Sequence, residues 1–428
     1  MPSPNSPAPA PNQPKIVQKL LLRTLVLVLV LGGSFLGLRR FLETREDPER
    51  YASANTSGTI SAIEFREDGG QEVVAFKPDL TEVRTDNYRP GATDRDAVWS
   101  PNGYFLFFVS DRIDETFHVF RWNLEKPTAE PRTEGSRGRS NPFFATGEAP
   151  NANNSLLMTS GGFVMELEPM TKANVQVLPP LGREIVQGSG ENAGADSQFT
   201  AIYGQIGNSF RLARWVGGRD YIAAIMRNDD GEVLLFQPMT LKANQSQPPQ
   251  VVAAGDHIEF DVSPAGEVVY TVRGFQWPGQ PPEQYRKGGK VTTPFRNYIG
   301  LWKPGQPATP PLAVSPDDKV GFGSPAIHPD GQRMALIVGA VEEGSLTPQG
   351  LGLMDLTPGA GTAAKMIVPG SVYEPSWDPT GSTLVYARRD ADGKRTIFTA
   401  NADGSSERSI SGGKGNYGFP KFSPQTRG

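Results

Sequence analysis

The chain consists largely of short apolar runs separated by turn signals. The clearest stretch is YEPSWDPTGSTLVYARRDADGKRTIFTANADGSSERSI, residues 373–410. Its pattern predicts four short strands, at 374–378, 383–388, 396–401 and near Arg408. Three pairs with glycine stand between these strands, where hairpin turns require a positive φ angle: Thr380-Gly381, Asp392-Gly393 and Asp403-Gly404. The stretch therefore predicts a four-stranded antiparallel sheet covered on both faces, which is one blade of a β-propeller.

An apolar–polar–proline step begins each such unit. Five clear copies of this anchor occur, at Trp99-Ser100-Pro101, Val262-Ser263-Pro264, Ile327-His328-Pro329, Trp377-Asp378-Pro379 and Phe422-Ser423-Pro424. Two degenerate (worn) copies, which lack the proline, are predicted at Phe143-Phe144 and at Trp215-Val216-Gly217-Gly218. The apolar residue of each anchor should pack between blades. The proline should end an inner strand at a place where no backbone N–H is needed.

The first and last segments of this region complement each other. Residues 58–85 predict three strands without an anchor strand in front of them, whereas residues 419–424 predict an anchor strand without a blade behind it. We expect the two segments to pair, because pairing leaves no open sheet edge. The expected fold is all-β, a seven-bladed β-propeller over residues 58–428. Six or eight blades are alternatives, because residues 181–208 fit either an insertion or another worn unit.

The repeated pattern P-x-W-S-P-D-G, followed by a strand, Asp-Gly and a second strand, resembles the repeats of TolB-like, WD-type propellers. The resemblance covers most of the chain after residue 58. It implies a propeller that contacts other proteins, for instance envelope proteins, or that serves as an accessory subunit of a larger membrane complex. As an indication of function it is unspecific, because propellers host binding, scaffolding and several chemistries.

The N-terminal residues have a different character. Residues 1–14, MPSPNSPAPAPNQP, are polar and proline-rich, which predicts a disordered tail. The run from Leu20 to Leu38 is apolar apart from Arg23, Thr24 and Ser34, and it just reaches the length that spans a bilayer. We therefore predict a transmembrane anchor at 15–40 and a linker at 41–57. A cleaved signal peptide is the alternative, although no A-x-A-like site follows the run.

Positive residues flank the apolar run on both sides, so charge alone does not fix its orientation. A short tail held inside with a large domain exported is the usual arrangement for such an anchor. We therefore expect the propeller on the periplasmic, or otherwise extracytoplasmic, side of the membrane.

Composition narrows the classes of function. The net charge of the 428-residue chain is −4, without a basic excess, so no nucleic-acid partner is expected. Cysteine is absent, which excludes disulfides and thiolate chemistry. The three histidines are His118, His257 and His328, and His328 is interpreted as a structural hydrogen-bonding residue. The Asp-rich turns lack the later glutamate of a calcium loop, so no metal or cofactor is predicted.

The sequence contains no G-x-S-x-G motif and no α/β segment after the propeller, in contrast to peptidases of the prolyl-oligopeptidase type. We therefore expect a non-catalytic protein-binding or scaffolding subunit. One alternative is a propeller enzyme, a hydrolase or lyase with carboxylates and a metal in its channel. The other is a sensor that binds a small ligand or glycan in a neutral, aromatic-lined channel.

The insertion after the strand EVVYTV supplies the candidate binding residues. Its sequence is GFQWPGQPPEQYRKGGKVTTPFRNY, residues 274–298, and it should emerge on one rim of the disc. The candidates are the aromatic and basic residues of types enriched at interface centres: Phe275, Trp277, Tyr285, Arg286, Lys287, Lys290, Phe295 and Arg296. The alternative is a loop folded over its own blade. A second, basic rim candidate is TEGSRGRSN, residues 133–141.

Overall fold

The structure is a computed structural model of the chain. It describes residues 55–144, 156–168, 172–179, 203, 209–228, 231–239, 249–275, 286–287, 290–291, 297–306, 311–315, 319–356 and 364–424. These residues all belong to one of two structural units, Ala52–Gly428. Among them, no helix has the length and apolar character to cross a membrane. The predicted disordered tail, the predicted transmembrane anchor and the linker up to residue 54 lie outside the described residues.

The described part of the chain is all-β. The strands of its N-terminal half are β1 (Ile60–Phe65), β2 (Gln71–Phe76), β3 (Glu82–Arg84), β4 (Asp94–Trp99), β5 (Leu106–Ser110), β6 (His118–Trp122), β7 (Glu130–Pro131), β8 (Arg139–Phe144), β9 (Leu156–Ser160), β10 (Phe163–Leu167), β11 (Asn174–Leu178), β12 (Ser209–Val216), β13 (Tyr221–Asn228) and β14 (Gly231–Pro238). Two four-stranded antiparallel sheets follow the chain order here, β4 to β7 and β8 to β11.

The C-terminal half continues in the same way. Its strands are β15 (Gln250–Val262), β16 (Val268–Phe275), β17 (Arg286–Lys287), β18 (Lys290–Val291), β19 (Asn297–Trp302), β20 (Ala313–Val314), β21 (Val320–Ile327), β22 (Arg333–Glu342), β23 (Ser345–Asp355), β24 (Lys365–Pro369), β25 (Val372–Trp377), β26 (Thr383–Arg389), β27 (Arg395–Asn401), β28 (Arg408–Ser409) and β29 (Tyr417–Phe422). Strands β21 to β24 and β25 to β28 form two further four-stranded sheets, and β17 pairs with β18 alone.

Strand β15 is shared between two groups of strands. Its first half, Gln250–Gly255, pairs with β14, and its second half, Gly255–Val262, pairs with β16. This joins β12, β13, β14, β15, β16, β19 and β20 into one seven-stranded sheet. The division falls at a glycine because a Cβ atom on Gly255 would lie 2.6 Å from Cγ1 of Val272.

The two terminal segments pair, as the sequence predicts. The fifth four-stranded sheet has the order β29-β1-β2-β3, and β29 lies antiparallel to β1, with Ile60 opposite Phe422. Just outside the paired strands, the hydroxyls of Thr56 and Ser423 lie 2.7 Å apart. Tyr417 is buried, and its ring meets that of Phe76 edge-on at 5.3 Å. The last inner strand therefore completes the first sheet.

The anchor aromatics lie between neighbouring sheets, which is the packing expected from the repeat. Trp99, for example, contacts a cluster that contains Ile63 and Val73 of the preceding sheet and Leu106 of its own sheet. Trp377 likewise joins Ala335 of the preceding sheet to Leu384 of its own. Burial of each large aromatic side chain contributes about 1.5–3 kcal/mol. Because both faces of each sheet are covered, strands such as β5 are apolar without alternation.

The same irregularity recurs in the inner strands. Five residues, each three positions before its anchor aromatic or aliphatic residue, have φ between 45° and 55°: Asp96, Asn141, Ser324, Glu374 and Phe419. The strand register shifts at each of these places, which is the signature of a β-bulge. A bulge bends the strand and redirects its side chains, and here it governs which residues face the neighbouring inner strand.

Candidate functional site

Side chains at the bulges tie inner strands to one another. The carboxylate of Asp96 in β4 accepts a hydrogen bond of 3.0 Å from the backbone N–H of Asn141 in β8. Glu374 in β25 accepts the N–H of Phe419 in β29 at 2.7 Å. Glu259 in β15 similarly accepts the N–H of Ser324 in β21. In all three contacts a carboxylate satisfies a backbone donor that the bulge has removed from the ladder.

Other groups complete the circuit of inner strands. The amide of Asn141 donates to the carbonyl of Arg211 in β12 at 2.6 Å, and the Arg211 guanidinium donates to the carbonyl of Ile258 in β15. The indole N–H of Trp377 donates to Ala326 O in β21 at 2.9 Å. That of Trp99 in β4 donates to Lys421 O in β29 at 3.3 Å. The contacts return to β4, so the inner strands surround a central channel.

One end of this channel contains a cavity of about 400 Å³, at the ends of the inner strands that carry the anchors. It is lined by Arg214, Asp261, Pro264, Pro325, Ala326, Ile327, Pro329, Pro375, Ser376, Trp377, Asp378, Pro379, Lys421, Phe422 and Pro424. These residues come from five inner strands and the turns that follow them. The lining is mostly proline and apolar side chains, with few charged groups.

The two aspartates of the cavity are engaged in bonds. Asp261 forms an ion pair with Arg214 through one oxygen and accepts the backbone N–H of Ile327 at 2.9 Å through the other. Asp378 accepts the N–H of Thr383 at 2.8 Å and the hydroxyl of Thr380 at 2.6 Å, so it shapes the hairpin turn. The guanidinium of Arg214 also lies over the ring of Phe143, 4.8 Å from its centroid.

Lys421 is the remaining charged residue of the cavity. No described residue forms an ion pair or a hydrogen bond with its ammonium group. Protein surrounds the side chain, although the open channel leaves it accessible to water. Burial, and next the nearby Arg214 guanidinium, lower the pKa of Lys421, and the charges of Asp261 and Glu374 oppose this only in part.

A second cavity, of about 440 Å³, adjoins the first. It shares Asp378, Pro379 and Phe422 with the channel cavity and extends over the sheet formed by β29 and β1. Both cavities therefore lie at the anchor end of the inner strands.

The predicted rim residues belong to the opposite end. Strand β16 begins beside Val262, at the anchor end, and finishes with Phe275 beside Gly255. The connection from β16 to β19 therefore leaves the sheet away from both cavities. Within it, Arg286–Lys287 pairs with Lys290–Val291 as a short hairpin. Trp277, Tyr285, Phe295 and Arg296 lie outside the described residues.

The prediction that residues 133–141 form a second, basic rim segment is wrong for Arg139, one of the two arginines of that segment. Arg139 is buried in β8, where its guanidinium donates to the hydroxyl of Ser160 at 2.8 Å. Burial, together with the charge of Arg137, lowers the pKa of Arg139. Strand β8 begins at Arg139, inside this segment. The reason is that the degenerate anchor Phe143-Phe144 marks the end of the inner strand, so the strand extends back from it toward Arg139.

The structural role predicted for His328 is confirmed. This residue is buried, its Nε2 lies 2.9 Å from Gly381 O in the next sheet, and its ring meets Trp377 edge-on at 4.7 Å. The Asp-Gly turns are hairpin turns where the structure describes them; Asp403, for example, accepts the N–H of Ser405 at 2.9 Å. Over the described ranges, no three His, Asp or Glu residues are grouped so that they could hold a metal ion.

Sequence reasoning missed the channel residues Arg214, Asp261 and Lys421. Each stands immediately before its anchor residue, at a position where the other units carry Val98, Phe143, Ala326 and Ser376. An alignment of the units on their anchors would have shown this position to be apolar or small in four copies and charged in three. This difference between the units is the sequence signal that could have identified the three channel residues.

The inner strands around a channel and the radial four-stranded sheets define the class: this protein is a β-propeller. No family model matches the sequence, and no curated protein matches it either. Among solved structures, a puromycin-hydrolyzing peptidase of Mycobacterium tuberculosis is similar over 84% of this chain and 54% of that chain, with 12% identity and a TM-score of 0.51.

Two further solved structures are similar at lower TM-scores. TolB from Acinetobacter baumannii is 13% identical over 86% of this chain and 67% of its own, with a TM-score of 0.47. An oligogalacturonate lyase in complex with manganese is 12% identical over 83% of this chain and 85% of its own, with a TM-score of 0.48. At 12–13% identity these similarities concern the fold alone. The predicted β-propeller is confirmed by the four-stranded sheets and by the circuit of inner strands described above.

Proposed function

We propose that this protein is a non-catalytic binding or scaffolding subunit, which residues 15–40 anchor in a membrane and whose propeller contacts protein partners on the extracytoplasmic side. The partners are membrane or envelope proteins, and the rim connection between β16 and β19 is the surface that meets them. This surface includes Phe275, Trp277, Tyr285 and the basic residues Arg286, Lys287 and Lys290.

The proposal includes a count of seven blades. The five four-stranded sheets support it, together with a division of the seven-stranded sheet at Gly255 into two further groups of four. In this division β15 is the outer strand of one blade and the inner strand of the next. The circuit of side-chain contacts from β4 through β29 and back to β4 passes through the same number of inner strands.

The length of one connection is the observation that carries the binding function. The connection from β16 to β19 comprises residues 276–296. The equivalent connections in the other sheets have between two and seven residues: 66–70, 111–117, 161–162, 229–230, 343–344 and 390–394. A hairpin needs only a few residues to reverse direction. A long connection rich in aromatic and basic residues is therefore not required by the fold, and its composition suits an interface.

Capture of partners from solubilised membranes tests the proposed surface. The tagged full-length protein is purified in mild detergent, and co-purifying proteins are compared by quantitative mass spectrometry. Replacing Trp277 and Tyr285 together by alanine should reduce recovery of the partners by about tenfold or more, since large aromatic side chains dominate binding energy at interface centres. Ile113→Ala is the matched control, because Ile113 is exposed in the equivalent connection between β5 and β6.

Undiminished recovery with the double variant would show that the rim connection is not the interface. Loss of recovery with Ile113→Ala as well would indicate a broad, non-specific surface. Orientation is tested separately, by adding protease to intact spheroplasts: digestion of the propeller supports the extracytoplasmic side, and protection contradicts it.

A further inference from the structure

We propose that the channel cavity at the anchor end binds a small ligand that carries one carboxylate on an apolar body. In this proposal Lys421 holds the carboxylate, with Arg214 beside it. The proposed site goes beyond the protein-binding surface described above: it lies at the opposite end of the blades and uses no residue of the rim connection.

The carboxylates of the cavity have hydrogen-bond or ion-pair partners, whereas the ammonium group of Lys421 has none among the described residues. Both oxygens of Asp261 are engaged, by Arg214 and by the N–H of Ile327. The oxygens of Asp378 are engaged within its turn. An ammonium group has three donors, and those of Lys421 find no acceptor among the described residues. The cavity therefore offers an unused cationic donor and no unused carboxylate, which selects for an anion.

The fold does not require a cation at this position. Lys421 pairs with Ser61 of β1 through its backbone, and its carbonyl accepts the indole N–H of Trp99. The corresponding residues of other inner strands include Val98, Ala326 and Ser376, which are neutral. The side chain of Lys421 remains accessible to water in the channel, but its lowered pKa indicates that the positive charge is less favourable there than in free solution. A bound carboxylate would offset that cost.

The rest of the lining indicates the remainder of the ligand. Six residues of the cavity are prolines, which have no backbone N–H to donate: Pro264, Pro325, Pro329, Pro375, Pro379 and Pro424. The indole N–H of Trp377 is already bonded to Ala326 O. A ligand with many hydroxyl groups would find few partners here, whereas an apolar body can pack on Trp377, Ile327 and Phe422. The volume of about 400 Å³ is near the lower end for small-molecule pockets.

Paired probes test this proposal on the purified full-length protein. Binding of 4-phenylbutyrate and of its neutral amide, 4-phenylbutyramide, is measured by isothermal titration calorimetry. The acid should bind at least about tenfold more tightly than the amide, because only the acid gains a charge-assisted hydrogen bond. Acetyl-Ala-Phe with a free or an amidated C-terminus forms a second pair. Tighter binding of the peptide acid than of phenylbutyrate would assign the site to polypeptide C-termini, and the reverse would assign it to free acids.

Substitutions locate the contact. Lys421→Met keeps the length of the side chain and should abolish the preference for the acid, whereas Lys421→Arg should retain it. Lys414→Met is the matched control, because Lys414 is exposed in the turn before β29 and should leave the preference unchanged. Unaltered thermal unfolding of Lys421→Met shows that the variant is folded, since neutral residues occupy this position in other units.

The pH dependence gives an independent readout. The acid preference should decline as pH rises through the lowered pKa of Lys421, whose ammonium group lies near the charged residues Arg214, Asp261 and Glu374. Equal binding of acid and amide, no binding of either acid, or an acid preference that survives in Lys421→Met would overturn the proposal. These results are distinguishable from failure of the rim surface, which is read from partner recovery alone.

Discussion

Two tryptophans occupy the same place in the repeat but differ in the hydrogen bonds of their indole groups. Trp377 and Trp215 are both buried anchors between sheets. The indole N–H of Trp377 donates to Ala326 O at 2.9 Å, whereas that of Trp215 is buried without any hydrogen-bond partner. Replacement of each by phenylalanine removes the same atoms and leaves similar space. The difference between the two variants therefore depends mainly on the hydrogen bond, together with the ring contacts of Arg219 with Trp215 and of His328 with Trp377.

The magnitude follows from these contacts. Loss of the bond to Ala326 O costs about 0.5–1.5 kcal/mol, and removal of an unsatisfied buried donor at Trp215 recovers about 1–3 kcal/mol. The guanidinium of Arg219 lies 4.9 Å from the Trp215 ring centroid, and weakening that contact costs about 0.5–1 kcal/mol, which acts in the opposite direction. Trp377→Phe should therefore lower the free energy of unfolding by about 1 kcal/mol or more beyond the loss in Trp215→Phe.

The assay is urea unfolding of the full-length protein, followed by far-ultraviolet circular dichroism. Tryptophan fluorescence is unsuitable because each variant lacks a tryptophan. The unfolding midpoint of Trp377→Phe should fall clearly below that of Trp215→Phe at an unchanged slope. Equal midpoints, or a lower midpoint for Trp215→Phe, would refute the reasoning that the indole bond between inner strands contributes to stability.

Two other predictions concern turns and acidic residues. Gly381→Ala should destabilise the protein by about 1–3 kcal/mol more than Gly393→Ala in the same urea assay, because both glycines have positive φ but only the first would place a Cβ within 2.1 Å of His328 Nε2; equal losses would contradict the contact. Burial alone would raise the pKa of Glu232, but bonds from Arg211, the N–H of Ile258 and Arg227 lower it overall. Its stabilising contribution is therefore present above the unfolded-state pKa and lost as pH falls through the folded-state pKa. Glu232→Gln should accordingly lose less stability than the wild type between about pH 7 and about pH 3, and an identical decline would disprove this role.

The strands were predictable because their signals are local. In residues 373–410 the sequence predicts four strands, and the structure has them at Val372–Trp377, Thr383–Arg389, Arg395–Asn401 and Arg408–Ser409. Turn glycines and β-branched or aromatic runs act within a few residues of one another, so a single unit contains its own signal. The two worn anchors also end true inner strands, β8 and β12. The continuous strand β15 was not predicted, because nothing local indicates that one strand serves two groups.

The candidate site was less predictable because its contacts join distant residues. Arg214 and Asp261 lie on different inner strands, and the indole of Trp99 contacts the carbonyl of Lys421, a residue far later in the chain. The bulges also matter, since they alter the alternation of side chains that sequence patterns assume. In β29, for example, the consecutive residues Tyr417 and Gly418 are both buried, whereas Phe419 and Lys421 are exposed. Only the three-dimensional register shows which of these residues line the channel.

The bulges also explain how channel residues can vary without loss of the fold. At the bulge, carboxylates such as Asp96 and Glu374 satisfy backbone donors of the next inner strand, so those positions are constrained by stability. Two residues after the bulge in β29, the side chain of Lys421 faces the channel, and the strand there is held by backbone pairing and by the indole of Trp99, without a bond from the lysine side chain to any described residue. Where the side chain takes no part in holding the strand, the residue can vary without loss of the fold. The architecture therefore does not require a lysine at position 421, and the ligand site proposed above gives this residue a role.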